Sequence, residues 1–324
     1  MAKRNKNLTL GNYRRGWQEY EWRWQTDQLK SARLISDKPL WLGQPSLRGQ
    51  RILVHAEQGL GDSLQFCRYL PMLLELDATL IVQVQAPLVP LLRRMRGIAE
   101  VIAQGDPLPE FDVHCPFMSL PLAFGTTLET VPSPQRYLWP SPQKSQAWQR
   151  RAGTSHLPRI GLVWAGAPHA SLAIQRPVDV RRSIRLAKFA SLSTSAATFF
   201  SLQKGEPAAA ELRALERERW NGPKIVDYSA DLHDFDDTAA LIDQLDLVIS
   251  VDTSVAHLAG ALGKPVWLLN RFDTCWRWMT QRDDSPWYSS MKIFRQPTAG
   301  DWDTVIADVQ AELQRWLADG SRNL

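Results

Sequence analysis

The block Leu247-Val248-Ile249-Ser250-Val251-Asp252-Thr253-Ser254 constrains the fold of this chain more than any other stretch. An unbroken apolar strand runs into a carboxylate and two hydroxyls. A helix of small residues follows (Ala256, Ala259, Gly260, Ala261) and closes at Gly263-Lys264-Pro265. A strand without polar alternation is buried on both faces, which calls for a parallel sheet covered by helices. The same grammar occurs earlier. Arg51-Ile52-Leu53-Val54-His55-Ala56 reads as a strand, Glu57-Gln58-Gly59-Leu60-Gly61 as a turn, and Asp62 or Ser63 as the N-cap of a helix.

Further strands are expected at 79–84, 159–164, 198–202 and 265–269. Helices are expected at 207–219, 237–245, 254–262 and 303–318, and one rich in arginine (Arg93, Arg94, Arg96) after 79–84. Alternating strands and helices favour doubly wound α/β architecture. Residues 131–158 break the rhythm with Pro132, Pro134, Pro140, Pro142 and Pro158, and read as a linker between two such halves. Before the first strand, Leu8, Leu10, Tyr13, Trp17, Tyr20 and Trp24 have helical spacing interrupted by Gly11 and Gly16, as in a helical hairpin. Its aromatic load requires a surface to pack on. The expected division is a helical hairpin at 1–44, a first doubly wound domain at 45–145, a second at 146–300 and a terminal helix at 301–324.

At 324 residues the chain suits two domains, and its 44% hydrophobic and 22% charged residues exclude disorder and coiled-coil architecture. No apolar run is long enough for a membrane helix, and the basic start lacks a signal-peptide core. Three scattered cysteines form no CxxC pair. A cytoplasmic protein without an integral membrane segment is expected. Residues 1–51 carry eleven Lys/Arg against four Asp/Glu. No nucleic-acid motif accompanies that excess, so nucleic acid is not expected as a partner.

The chemistry concentrates at strand ends. Gly59 and Gly61 leave backbone N–H groups open to an anion, although GxGD is short of the dinucleotide fingerprint. Asp62 has two readings: a helix cap, or a cleft carboxylate that takes a proton from an attacking hydroxyl. Thr253, Ser254 and the open amides of their helix suit a diphosphate, aided by the helix dipole. His257, one turn in, either donates a hydrogen bond to that phosphate or is a core histidine against the sheet. Lys204, before Gly205 at a strand end, either meets a phosphate or is a surface lysine. Arg176, Arg181, Arg182, Ser183 and Arg185 form a cluster that either closes over an anionic donor or is a solvated turn. Asp234-Phe235-Asp236-Asp237 carries a DxD pattern that can hold a divalent ion. Because Thr238-Ala239-Ala240-Leu241-Ile242 begins a helix, these aspartates read better as caps, and no metal is expected.

The segment His55-Ala56-Glu57-Gln58-Gly59-Leu60-Gly61-Asp62-Ser63-Leu64-Gln65-Phe66-Cys67-Arg68-Tyr69 resembles the start of bacterial GT-B glycosyltransferase domains attached to tetratricopeptide repeats. That group is related to the heptosyltransferase (family 9) enzymes and distantly to O-GlcNAc transferase. Gly161-Leu162-Val163-Trp164-Ala165-Gly166, Asp179-Val180-Arg181-Arg182-Ser183, Phe200-Ser201-Leu202-Gln203-Lys204-Gly205 and the 249–265 block share the likeness. So do Trp276-Arg277-Trp278 and Asp283-Asp284-Ser285-Pro286-Trp287-Tyr288. The resemblance implies two Rossmann-like domains, of which 45–145 is the acceptor side and 146–300 binds the nucleotide-sugar. It implies metal-independent, inverting transfer from that nucleotide-sugar to a glycan or protein acceptor, with no cofactor beyond the donor. It implies Asp62 as catalytic base, with Lys204, Arg182, Ser183, Asp252, Thr253, Ser254 and His257 at the donor. It also implies that the hairpin is the remnant of a repeat, available to a protein partner or to self-association. After strand 265–269, Asn270-Arg271-Phe272-Asp273 stands where relatives often have a proline-containing turn. A non-catalytic scaffold of the same fold is the alternative, and an epimerase or hydrolase a third reading.

Overall fold

The computed structural model describes residues 6–153, 156–166, 176–215 and 220–319. The basic residues Lys3 and Arg4, the last residues of the expected 207–219 helix and the end of the 301–324 segment lie outside them. Two parallel sheets organise the chain. The first holds β1 (Arg51–His55), β2 (Thr79–Val84), β3 (Ile98–Ala103) and β4 (Val113–Pro116) in the order β3-β2-β1-β4. The second holds β5 (Arg159–Val163), β6 (Thr198–Ser201), β7 (Ile225–Asp227), β8 (Leu247–Val251), β9 (Val266–Asn270) and β10 (Met291–Arg295), ordered β10-β9-β8-β5-β6-β7. β1 lies between β2 and β4, with Ile52 opposite Leu80 and Val113. β8 lies between β5 and β9, with Val248 opposite Gly161 and Val266. These inner strands are buried along nearly their whole length, as their uninterrupted apolar sequences require.

The proline-rich 131–158 segment is more than a linker. Ser141 caps an eleven-residue helix, Pro142–Ala152, with Pro142 at the first helical position, where its missing N–H costs nothing. The segment is tied to the second half: the Ser141 N–H donates to Asp236 at 2.8 Å and Arg136 pairs with Asp243 at 3.1 Å. The capping reading of the DxD segment holds, since Asp234 accepts the Asp237 N–H at 2.8 Å. The Lys144 ammonium sits among Asp234, Asp236 and Asp237 at 2.9–3.6 Å and offsets part of their charge. The terminal helix Trp302–Ala318 buries Trp302, Val305, Ile306, Val309 and Leu313 with Ile160, Ile249 and Trp267 of the second sheet.

The hairpin region forms short helices Lys6–Thr9, Tyr13–Tyr20 and Asp27–Lys30, with a 3₁₀ turn Glu21–Gln25 between the last two. Tyr13, Trp17 and Tyr20 are buried, and they share one continuous core with Ile52, Val54 and Phe66 of the first half and Val248, Leu268, Trp276 and Trp287 of the second. No described helix is long and apolar enough to cross a membrane.

Candidate functional site

Two strand-turn-helix units meet between the sheets. β1 leads into the helix Leu60–Phe66 and β8 into the helix Ser254–Ala261, and the two helices pack at their N-terminal ends. Gly61 makes the contact possible. A Cβ there would lie 2.8 Å from His257 Cδ2 and 3.5 Å from Ser254 Cα. His257 cannot easily give way, since its ring stacks on Trp278 at 5.2 Å and Nδ1 lies 2.8 Å from the Tyr288 hydroxyl. Gly61→Ala is therefore expected to cost about 1–3 kcal/mol by overpacking. A lower urea midpoint at unchanged m-value would measure it.

The helix carrying Asp62 starts earlier than its sequence suggests. Gly59 is the N-cap and Asp62 the third helical residue, its Oδ2 accepting the Gly59 N–H at 2.8 Å. This is the carboxylate half of a capping box. The other oxygen, Oδ1, is held by Arg277 from the second half. Arg277 is buried. Its Nε donates to Gln65 Oε1 at 2.6 Å, Nη1 meets Cys275 Sγ at 3.2 Å, and the guanidinium stacks 4.3 Å from the Trp276 ring. Burial works against its charge, yet Asp62, followed by Cys275 and Tyr20, holds its pKa above the ordinary arginine value.

Across from Asp62, burial pushes the His257 pKa down to about 3, with the cations of Arg277 and Arg68 adding to the effect against the pull of Asp252. The imidazole is neutral at physiological pH. In the tautomer where Tyr288 donates to Nδ1, Nε2 carries the proton, and it meets no hydrogen-bond partner among the described residues. Thr253 is the N-cap of the Ser254–Ala261 helix and offers its amides no side-chain bond; its hydroxyl lies 3.2 Å from Ser250 Oγ instead. The first amides of that helix thus keep the capacity to bind an anion.

The remaining residues form a frame around this helix start. Arg182 donates to the Asp252 carbonyl at 2.9 Å and to Asp179 at 2.7 Å, and its buried Nε has no partner among the described residues. Ser183 bridges the Gly166 N–H (3.2 Å) and the Asp179 carbonyl (2.7 Å). The Asp252 carboxylate lies 3.9 Å from Arg271, which also binds Asp273 at 3.0 Å; Asp273 in turn meets Arg181 at 2.9 Å. The unusual 270–273 turn is thereby stapled to the helix Arg176–Arg182. Lys204 is not in this cluster. It is exposed at the end of β6, its ammonium on the Leu232 carbonyl, two strands away from β8. That separation is about 10 Å across a sheet.

Four residues matter here to which sequence reasoning assigned no role. Arg277 stands between two tryptophans, a setting that suits stacking and burial of a guanidinium. Gln203 accepts the Trp164 and Ala165 N–H groups at 3.1 and 2.9 Å and donates to the Ala165 carbonyl at 3.0 Å, locking the loops after β5 and β6 together. Tyr288 fixes the His257 ring. Glu57, in the turn after β1, is buried with Oε1 on Arg23 at 3.1 Å and on the Met118 N–H at 3.3 Å. Its Oε2 has no partner among the described residues, and burial raises its pKa to about 7, partly offset by Arg23.

Residues 231–273, which include β8, Asp252, Thr253, Ser254 and His257, match Glycosyltransferase family 9 (heptosyltransferase). Over 339 aligned residues the chain is 29% identical to protein FlbA of Caulobacter vibrioides (strain ATCC 19089 / CIP 103742 / CB 15). That match covers 96% of this chain, which spans about half, 54%, of the relative's length. Among solved structures, the glycosyl transferase family 9 protein from Veillonella parvula DSM 2008 is similar at a TM-score of 0.61 and 11% identity, covering 86% of this chain and 99% of that one. E. coli ADP-heptose lps heptosyltransferase II is similar at 0.56 and 16%, covering 84% and 99%. E. coli heptosyltransferase WaaC with ADP is similar at 0.51 and 12%, covering 82% and 99%. The fold is thus the two-sheet α/β arrangement of GT-B-like heptosyltransferase structures. The heptosyltransferase part of the resemblance is supported. The tetratricopeptide-repeat and O-GlcNAc transferase parts remain expectations.

Proposed function

We infer that the protein is a glycosyltransferase that moves a sugar from a nucleotide-diphosphate donor to an acceptor hydroxyl, with inversion and without a divalent metal. The observation that carries this reading is the meeting of two helix starts. One supplies open amides, Thr253, Ser254 and a neutral His257; the other supplies the carboxylate of Asp62. The diphosphate binds at the Ser254–Ala261 start, where hydrogen-bond donors and the helix dipole face its charge. The acceptor O–H gives its proton to Asp62 while its oxygen bonds to the anomeric carbon. The anomeric C–O bond breaks, and its electron pair leaves on the diphosphate, stabilised by the amides and by His257 Nε2–H. Arg182 and Ser183 hold the Asp252 turn in place, and Lys204 reaches the diphosphate after leaving the Leu232 carbonyl. The match of residues 231–273 to the heptosyltransferase family, and the ADP in one structural neighbour, make an ADP-sugar the first donor to try.

The rival reading is a binding module of the same fold. It is favoured by the closed ion pair Asp62–Arg277, which occupies the carboxylate that transfer would use.

A thermal-shift titration with ADP, UDP, GDP, CDP and dTDP in EDTA separates the two. One nucleotide, ADP first, should raise Tm with concentration, reaching about 2.7 kcal/mol of stabilisation at a hundred times Kd. Lys204→Ala and His257→Ala should weaken that response. Transfer assays with the matching sugar nucleotide then follow. No response to any nucleotide would move the protein to the binding-module reading.

A further inference from the structure

We propose that the N-terminal hairpin is a clamp that holds the two sheets at one fixed angle, which ligand binding leaves unchanged. Trp17 is the pin. Its indole N–H donates to the Thr126 carbonyl of the first half at 3.1 Å. Its ring meets Phe66 of the first half at 6.3 Å, and Trp276 and Trp287 of the second half at 5.3 and 6.1 Å, all edge to face. Tyr13 stacks on Trp287 at 5.9 Å and its hydroxyl accepts the Trp287 N–H at 3.2 Å; Tyr20 packs on Trp276 at 6.1 Å. Three separate stretches of chain therefore share one aromatic cluster, in which every ring named is buried.

Buried arginines reinforce the same seam. Arg68 of the first half donates to the Trp287 carbonyl of the second, and also to Gln65, Pro132 and Tyr137, with its guanidinium over the rings of Tyr137, Trp287 and Tyr288. Arg277 makes the reciprocal crossing to Asp62 and Gln65. Relative motion of domains is the default where their interface is small and polar. This seam is apolar, aromatic and continuous with the core of both halves. Rotation of one half against the other would part the rings and strip the two guanidinium groups of their partners. The clamp stands on packing alone; only the nucleotide arm of its test rests on the proposed function.

Nitroxide labels on unnatural ketone side chains at Glu110, in the first half, and Asp303, in the second, report the angle by pulsed dipolar spectroscopy; both positions are highly exposed. The wild-type chain should give one narrow distance distribution that 5 mM ADP leaves in place. Trp17→Ala should broaden it at least twofold, while Trp22→Ala, an exposed ring of the same hairpin, should not. If Trp17→Ala does not fold, Trp17→Phe carries the test, because it keeps a ring and drops the bond to Thr126; intermediate broadening is expected. A broad or ADP-shifted wild-type distribution, or an unchanged width in the Trp17 variant that folds, would overturn the clamp. If no nucleotide binds, the proposed function falls, and the clamp is still decided by the ligand-free widths.

Discussion

Arg277→Gln should destabilise the protein by about 3 kcal/mol, the range found when one partner of a buried ion pair is removed. The guanidinium is lost from four neighbours at once: Asp62 Oδ1, Gln65 Oε1, Cys275 Sγ and the Trp276 face. Asp62→Asn should cost a similar amount, about 3 kcal/mol, because an amide oxygen accepts only one of the two hydrogen bonds and the buried Arg277 keeps an uncompensated charge. The double variant should lose less than the sum of the two, since each single change already breaks the shared contact. Urea unfolding of the four proteins at pH 7.5 measures the coupling. Additive losses would mean that Asp62 and Arg277 act independently. The pair also bears on enzymology. Asp62→Asn cannot be read as a pure loss of base, because it changes the seam between the halves; its nucleotide affinity and stability must be measured beside its transfer rate.

Much of this architecture is legible in the sequence wherever a segment is inner and self-sufficient. β1, β2, β5, β6, β8 and β9 announce themselves as apolar runs, and the helix starts at Thr253 and near Asp62 follow from their small and acidic residues. Local pattern predicts no strand at β3, β4, β7 or β10. Ile98–Ala103 is half exposed and interrupted by Glu100, Val113–Pro116 ends in a proline, and Ile225–Asp227 has only three residues. Met291–Arg295 has only five residues, two of them basic, at a sheet edge. Each becomes a strand because a stronger neighbour (β2, β1, β6 or β9) offers it a ladder, information that local pattern does not hold. The site divides in the same way. Gly61, Asp252, Thr253, Ser254 and His257 lie on two strand-helix units, and the structure brings them together. Arg277 lies 215 residues from Asp62, and no local spacing connects them. The hairpin follows the same logic: its aromatic load shows in the sequence that it needs a surface to pack on, but which surface covers Tyr13, Trp17 and Tyr20 is a tertiary fact.

The buried ionisable groups give the second large expectation, a loss of stability in mild acid with an identifiable sign at each residue. His257 is pushed down to about 3, chiefly by burial and then by Arg277; His55 is also pushed down to about 3, by burial and by His114, whose Nδ1 lies 3.1 Å away. An unfolded histidine takes its proton near pH 6.5, and the folded one refuses it. Their contribution is therefore complete above pH 6.5 and is lost as pH falls from 6.5 toward 3, at up to about 1.4 kcal/mol per pH unit for each. Glu57 works in the opposite sense. Its folded pKa is raised from 4.5 to about 7, so the folded state binds this proton more tightly, and stability is gained as pH falls from 7 to 4.5. Two losses against one gain leave a net fall between pH 6.5 and 4.5. His257→Gln should flatten the dependence by about one proton, and Glu57→Gln should steepen it by about one, because it removes the opposing uptake. Urea-unfolding free energies at half-unit steps from pH 7.5 to 4.5 give the slopes. Equal slopes in wild type and His257→Gln would mean that His257 takes up its proton in the folded state, and with it that the imidazole facing Gly61 carries charge at the cleft mouth.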